Sequence, residues 1–164
     1  MSWPRFLAWI GLAVVLVALD LWTKHLASQN LELYRPRAIT GWLNLTLAHN
    51  DGAAFSLLAD AGGWQRWFFT TVAVVVSVVL MIWLKRLPNG ARLLPVSLMM
   101  VLGGAIGNMV DRVRLGYVVD FIDVHYQGWH WPAFNLADSV IVVGVILLLV
   151  EGFIPRRSQM HPAP

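Results

Sequence analysis

The sequence predicts a mainly α-helical membrane protein. Four spanning helices form a bundle, with a small β-hairpin or sheet platform on its outer side and a short interfacial helix. Two properties of the 164-residue chain support this prediction: 58% of its residues are hydrophobic and only 13% carry a charge. In soluble domains about a quarter of the residues are charged. The third observation is a set of four apolar stretches, each close to the ~20 residues that cross a bilayer.

The predicted spans cover residues of about 6–24, 67–85, 93–110 and 134–153, within one integral-membrane domain of residues 1–164. Arg5 precedes the first apolar run, as in a cleavable signal peptide. That run continues through Asp20 and Lys24 without a small-residue cleavage site, and three more spans follow. We therefore expect the first run to be a retained helix.

The basic residues predict the orientation of the bundle. One side has Arg5, Lys85, Arg86, Arg92, Arg156 and Arg157, and the other has Lys24, Arg35, Arg37, Arg66, Arg112 and Arg114. The first group lies in much shorter segments that flank the spans directly, where the positive-inside bias acts. We therefore expect both termini in the cytoplasm. The basic residues form no cluster, so the net charge of +3 does not indicate nucleic-acid binding.

The two outer segments, residues of about 25–66 and 111–133, contain the non-helical elements. Residues 43–47 alternate leucine with polar side chains, a period of two that predicts a strand with one apolar face. The turn signal Asn50-Asp51-Gly52 follows, and residues 53–58 are expected to pair back as a second strand. Because a lone hairpin is marginally stable in water, we expect it to lie on the membrane surface or on the helices. Residues 64–68 predict an interfacial lead-in to the second span.

Several kinds of catalytic site are excluded by residue type. The chain has no cysteine, so thiol nucleophiles and cysteine-bound zinc are excluded. His125 and His130 are five residues apart, and no His-Glu-x-x-His motif occurs. No serine stands in a Gly-x-Ser-x-Gly context. We expect neither a metal nor a cofactor, and carboxylates remain as the candidates.

Asp138 is the candidate with the clearest signal. It lies within the fourth apolar stretch, where a carboxylate costs at least ~2.5–3.5 kcal/mol and is a functional candidate by default. Asn135 lies three residues earlier, on the same helical face. For Asn135 a helix cap and a site residue are equally good interpretations.

Asp120 and Asp123 follow the third span in a stretch too apolar for a solvated loop. Either could be a functional carboxylate, or both could be interfacial acids paired with Arg112 or Arg114. Composition does not choose between the two aspartates.

Two further patterns have structural interpretations. Asp20 and Lys24 are spaced i,i+4 at the end of the first span, which favours an ion pair that anchors the helix, with a role in shaping the site as the alternative. Gly103 and Gly107 form a Gly-x-x-x-Gly pattern typical of close helix packing.

If Asp138 meets Asp120 or Asp123, the two carboxyls share one proton over a useful pH range. The ionised member can activate water while the protonated one donates to a peptide carbonyl. Amide and guanidinium donors nearby could stabilise the developing charge. The same acids could instead carry protons or a cation in a small transporter or channel subunit. Residue types alone leave the peptidase and the transporter equally supported.

Four motifs occur in order along the chain. The first runs from Asp20 to Lys24 and the second from Asn50 to Ser56. The third has three parts: Gly103 to Asn108, Asp111-Arg112, and Val118 to Phe121. The fourth runs from Phe134 to Ser139. In this order, among four spans, they closely resemble the lipoprotein signal peptidase (signal peptidase II) family over nearly the whole chain. The resemblance decides in favour of the peptidase.

The resemblance implies a bacterial membrane aspartyl peptidase that removes signal peptides from prolipoproteins. It would cut just before a cysteine that carries diacylglycerol. Asp120, after Val-Val, and Asp138, in Asn-Leu-Ala-Asp, match the catalytic aspartates of the family. The residues that would bind substrate or support the site are Asn50, Gly52, Gly104, Asn108, Arg112, Asn135, Ala137, Asp20 and Lys24. Asp123 is then an additional acid whose role is open.

The resemblance also implies the setting of the enzyme. We expect a monomer in the bacterial inner membrane, in contact with membrane lipids and with an active site near the periplasmic face. The outer hairpin would correspond to a platform that cradles the substrate. A lipid-modified substrate would enter sideways, through a gap between spans.

Overall fold

The computed structural model describes residues 1–52 and 63–153. Four long helices dominate it: α1 (Trp3–Asn30), α2 (Trp64–Arg86), α3 (Leu93–Leu115) and α4 (Leu136–Phe153). Each is long and apolar enough to cross a membrane, with a mean hydropathy of 1.8 to 2.4 over its most apolar 18 residues. The prediction of a mainly α-helical bundle of four apolar helices is confirmed.

The helices begin and end at residues other than those predicted, and at the start of α2 and the end of α3 a glycine marks the boundary. Gly63, with φ of +92°, precedes α2, so the expected lead-in at residues 64–68 forms the first turns of the helix. Gly116, with φ of +94°, ends α3, five residues beyond the apolar run. Such a left-handed conformation at a helix end is most easily adopted by glycine.

Helix α3 is the centre of the bundle. Half of its most apolar 18 residues are buried, compared with 11–17% in the other three helices. A Cβ atom added at Gly103 would lie 2.9 Å from the Cβ of Leu16 in α1, and one added at Gly104 would overlap the carbonyl oxygen of Ala137 in α4. At Gly107 a Cβ atom would meet the carboxylate of Asp20. The predicted close packing at Gly103 and Gly107 is therefore confirmed, since α1 and α4 approach the α3 backbone directly.

The outer segments form a four-stranded antiparallel sheet in the order β1-β2-β3-β4. Its strands are β1 (Arg37–Ala38), β2 (Leu43–Asn50), β3 (Val118–Tyr126) and β4 (Trp129–His130). The predicted strand at 43–47 is present and continues to Asn50. Its long partner is β3, about 70 residues later in the chain, in the register that pairs Asn44 with Asp123 and Asn50 with Val118. The second strand expected at 53–58 lies outside the described residues.

The alternation of β2 does not produce one buried and one exposed face. Asn44 is buried, although it is polar, because its amide donates to the carboxylate of Asp123. The apolar Leu47 is buried as well. Periodicity therefore located the strand, but the buried carboxylate that covers its polar face was not predictable from β2 alone.

The chain start and the α2–α3 connection meet at the end of the bundle away from the sheet. The terminal amine of Met1 donates to the carbonyl of Lys85 at 3.0 Å, and the backbone of Ser2 donates to the side chain of Asn89. The ammonium of Lys85 lies 3.6 Å from the centroid of the Trp3 ring. These contacts bring Arg5, Lys85, Arg86 and Arg92 to the same end of the bundle, as the order of four spans predicted. Arg156 and Arg157 lie outside the described residues.

Candidate active site

The structure gathers the predicted site residues at the end of the bundle next to the sheet, where the C-terminal ends of α1 and α3, the start of α4, and strands β2 and β3 meet. Asp120 lies in β3 and is 2% exposed. Asp138 lies in the first turn of α4. We call these two residues the aspartate pair.

Asn135 connects the two members of the aspartate pair. Its side-chain amide donates to Asp120 Oδ1 at 2.6 Å. Its backbone N–H donates to Asp138 Oδ2 at 3.2 Å, and its side-chain oxygen accepts the backbone N–H of Asp138 at 2.9 Å. The two reciprocal bonds are a capping box at the start of α4, with aspartate at its third position. The cap and the site are therefore not alternatives, because Asn135 serves both.

Asp120 has two amide donors, because Asn50 donates to its second oxygen at 3.0 Å. Burial is the main cause that raises the pKa of Asp120 to about 7, and the neighbouring charge of Asp138 acts in the same direction. Hydrogen bonds from Asn50 and Asn135 oppose this rise without cancelling it. Asp120 can therefore hold a proton near neutral pH.

Asp138 is reached from α1 through a chain of polar contacts. Asn108 Nδ2 donates to Asp138 Oδ1 at 2.8 Å, while Asn108 Oδ1 accepts from the ammonium of Lys24 at 2.9 Å. The Asn135 amide also donates to Asn108 Oδ1, at 3.1 Å. Since an ammonium only donates, Lys24 and Asn135 together fix which side of the Asn108 amide faces Asp138.

Lys24 is the centre of a buried ionic cluster. Its ammonium lies 2.7 Å from Asp20 and 3.0 Å from Asp111. The predicted Asp20–Lys24 ion pair is thus confirmed, but both side chains are buried in the bundle, at 1% and 3% exposure. Asp20 also accepts the backbone N–H of Ala137 at 2.8 Å, which joins α1 to the start of α4.

Asp111 is absent from the predicted site, although it stands within the third motif. Besides pairing with Lys24, its carboxylate accepts the backbone N–H of Val119 at 3.2 Å, next to Asp120. Its spacing of three from Asn108 places both on one face of α3. That spacing, with a buried lysine in need of counter-charge, was the signal that could have identified it.

Arg112 joins α3 to the loop after β2. It donates to the carbonyl of Gly52 at 2.9 Å, and the backbone N–H of Gly52 donates to the side chain of Asn50. Gly104 contributes by letting α4 approach α3 at Ala137. Among residues 1–52 and 63–153, neither Asp120 nor Asp123 forms an ion pair with an arginine. Pairing with Arg112 or Arg114, one alternative for these acids, is therefore wrong.

Asp123 is separated from the aspartate pair. Its carboxylate accepts from Asn44 at 3.1 Å and Thr46 at 3.0 Å, and lies 2.8 Å from Nδ1 of His130. Burial by itself raises the pKa of Asp123, but the hydrogen bonds of His130, Asn44 and Thr46 outweigh it and lower the pKa overall. Asp123 therefore stays ionised and is unsuited to exchanging protons.

A cavity of about 620 Å³ adjoins Asp138, a volume in the usual range for ligand sites. Its polar lining comes from Asn50, Asn108, Arg112, Asp138 and Ser139, and its apolar lining from Val118, residues 131–134 and residues 141–143. Val142 and Val143 are 57% and 45% exposed on the outer face of α4. The cavity therefore reaches from the carboxylate to the side of the bundle that faces lipid.

Comparison with known proteins identifies the family. Residues 12–154 match the family described as Signal peptidase (SPase) II. The chain is 54% identical to the lipoprotein signal peptidase of Acinetobacter baumannii over 157 residues, which cover 96% of this chain and 89% of that protein. It is also 54% identical to the lipoprotein signal peptidase of Ectopseudomonas mendocina, over 96% of this chain and 94% of that protein.

A solved structure shares the fold. A bacterial membrane enzyme determined by the in meso method at 2.3 Å resolution superposes with a TM-score of 0.79 at 30% identity, covering 94% of each chain. None of these similarities supports a transporter or channel subunit. The chain belongs to the signal peptidase II family and is a multi-pass membrane protease that cleaves the signal peptides of lipoprotein precursors.

Proposed function

We propose that the chain is an aspartic endopeptidase in which Asp120 and Asp138 activate water, and that it cuts immediately before a diacylglyceryl-modified cysteine. The observation that carries this proposal is the position of Asn135, which donates to both carboxylates at once. Two carboxyls held by one residue cannot easily both ionise, so the pair retains one proton.

The two aspartates have different roles in this proposal. Asp138 lines the cavity and accepts hydrogen bonds from Asn108 and Asn135, so it is the ionised member that meets water. Asp120 is buried and is the member that holds the proton. General acid and general base are then supplied by chemically identical residues in different surroundings.

Hydrolysis proceeds through a tetrahedral diol. Asp138 removes a proton from water as the water oxygen attacks the scissile carbonyl carbon, and Asp120 donates its proton to the carbonyl oxygen. The C–N bond then breaks. Asp138 gives its proton to the departing nitrogen, while Asp120 regains a proton from the diol hydroxyl as the new carboxyl group forms. One water is consumed, and both aspartates return to their starting states.

Arg112 and Asn50 orient the peptide beside the aspartate pair. Both line the cavity. The guanidinium of Arg112 has five N–H donors and uses two of its nitrogens for the carbonyls of Asn108 and Gly52 among the described residues, so donors remain for a substrate carbonyl. Fixed donors of this kind stabilise charge as it develops on oxygen.

The cavity position favours substrate entry from the bilayer. Its wall on α4 reaches exposed apolar side chains, where a signal helix and acyl chains would lie. We place residues 1–164, as one peptidase domain, in the bacterial inner membrane with both termini in the cytoplasm and the site near the periplasmic face. The charge distribution supports that orientation. One chain supplies all of the named site residues, so we propose that a monomer is active.

A comparison of two precursors tests the substrate assignment. Purified protein is given the same precursor peptide with and without diacylglycerol on the cysteine. Burial of only four methylenes is worth about 3 kcal/mol, so we expect kcat/KM for the unmodified peptide to fall by a factor of about 100 or more. Equal cleavage of the two peptides would contradict recognition of the lipid.

A further inference from the structure

Asp123 is a buried carboxylate that the proposed chemistry does not use. Asn44 and Thr46 in β2 hold one of its oxygens, and the other lies 2.8 Å from Nδ1 of His130 in β4. A carboxylate only accepts hydrogen bonds, so Nδ1 carries the proton and donates it. The single side chain of Asp123 thus links β2, β3 and β4.

His130 immediately precedes a segment that lines the cavity. The next four residues, 131–134, all line the cavity. We call them the cavity wall. The two-residue strand β4 lies at the edge of the sheet and leads directly into the wall. It follows a tight turn in which Gln127 and Gly128 both have positive φ.

The wall is held at both of its ends. The backbone of Trp131 donates to Val124 at 2.8 Å, and Phe134 pairs with Ile122 at its far end. At the near end the Trp131 ring contacts that of Trp129. His130, the residue just before the wall, is fixed by its bond to Asp123 and by the stacking of its ring on His125, with centroids 5.1 Å apart. Nearly half of the His130 side chain is exposed, so the ring is held by these contacts and not by enclosure.

We propose that Asp123 and His130 form a clamp that positions the cavity wall, and that this clamp sets the affinity for the substrate without taking part in hydrolysis. Both are positioning residues. The inference rests on the proposed function, because it assigns the cavity to the substrate. The aspartate pair has its own supports in Asn50, Asn108 and Asn135, so opening the clamp leaves the reacting groups in place.

Three variants of His130 separate the hydrogen bond from the ring. His130→Phe keeps the stacked ring but removes the donor, and His130→Asn restores a donor near the position of Nδ1. With a diacylglyceryl-modified precursor peptide, we expect His130→Phe to raise KM by about 5- to 10-fold with kcat within about twofold, and His130→Asn to recover most of the loss. His130→Gln, whose amide reaches one bond too far, tests the same bond if the phenylalanine variant does not fold.

A double-mutant cycle shows whether the pair acts as a unit. If Asp123→Asn and His130→Phe break one interaction, the double variant should raise KM no more than the larger single change does. His49→Phe is the matched control, because His49 lies in β2 of the same sheet, stacks on the Tyr117 ring and is outside the clamp. We expect its KM to be unchanged.

Two results would overturn the clamp: an unchanged KM in His130→Phe or His130→Gln, or a loss of kcat that His130→Asn does not recover. Failure of the proposed function has a different signature. Asp120→Asn in the same assay would then retain turnover, whatever the His130 variants do.

Discussion

Replacing Asp120 or Asp138 with asparagine is expected to lower kcat for a diacylglyceryl-modified precursor by a factor of about 10² to 10⁴, the contribution typical of a positioned acid or base. Asparagine keeps the size of the side chain and can still accept from Asn50, Asn108 or Asn135. It can neither take a proton from water nor hold one for the carbonyl oxygen. The measurement is single-turnover cleavage by the purified variants, which separates chemistry from product release.

Asp123→Asn is the matched control, since Asp123 lies in the same strand as Asp120 and its carboxylate is also buried and hydrogen-bonded. We expect its kcat to stay within about twofold of the unmodified protein, because its carboxylate is held ionised and apart from the aspartate pair. If Asp123→Asn abolished turnover and Asp120→Asn retained it, the assignment of the pair would be wrong.

Lys24→Met is expected to have the largest effect on stability. It leaves the carboxylates of Asp20 and Asp111 buried without their shared cation. Breaking a buried ion pair by removing one partner costs about 3–5 kcal/mol. Activity should fall as well, because the side-chain oxygen of Asn108 loses one of its two donors, Lys24 and Asn135, and the amide that faces Asp138 is held less firmly. The free energy of unfolding in detergent micelles, by denaturant titration, measures the first effect.

Two comparisons identify the cause of that loss. Arg35→Met breaks the exposed pair with Glu32, whose side chains are 77% and 72% exposed, and should change the free energy of unfolding by less than about 1 kcal/mol. The double variant Lys24→Met with Asp111→Asn removes one of the orphaned charges and should recover part of the stability. If Lys24→Met changed the free energy of unfolding as little as Arg35→Met does, a structural role for the cluster would be contradicted.

The fold was largely predictable because its strongest signals are local. Four apolar stretches and the period of two at residues 43–47 depend on neighbouring residues only, and both were found in the structure. The strand that pairs with β2 is distant from it in sequence. Strand β3 follows two helices later, and no pattern within β2 indicates it. Helix ends also escaped prediction, since Gly63 and Gly116 act through backbone conformation and not through hydropathy.

The candidate site was predictable as a set of residues but not as a network. The free-energy cost of a carboxylate within an apolar span identified Asp138 as a candidate. The resemblance to the family motifs then favoured Asp120 over Asp123 as its partner. The structure supplies the physical difference between those two: Asp120 faces the α4 cap at Asn135, whereas Asp123 is held by β2 and His130. Asp111 was missed because its function depends on Lys24, which is 87 residues away in sequence and 3.0 Å away in space.

The dependence of kcat on pH tests most directly whether Asp120 holds the shared proton. With the pKa of Asp120 raised to about 7, its protonated fraction falls as the pH increases through that value. We expect single-turnover cleavage to be highest below neutral pH and to decrease about tenfold for each unit above pH ~7. A rate that stays constant or keeps rising between pH 7 and pH 9 would show that no proton on Asp120 is needed, and would contradict the acid–base roles of the two aspartates.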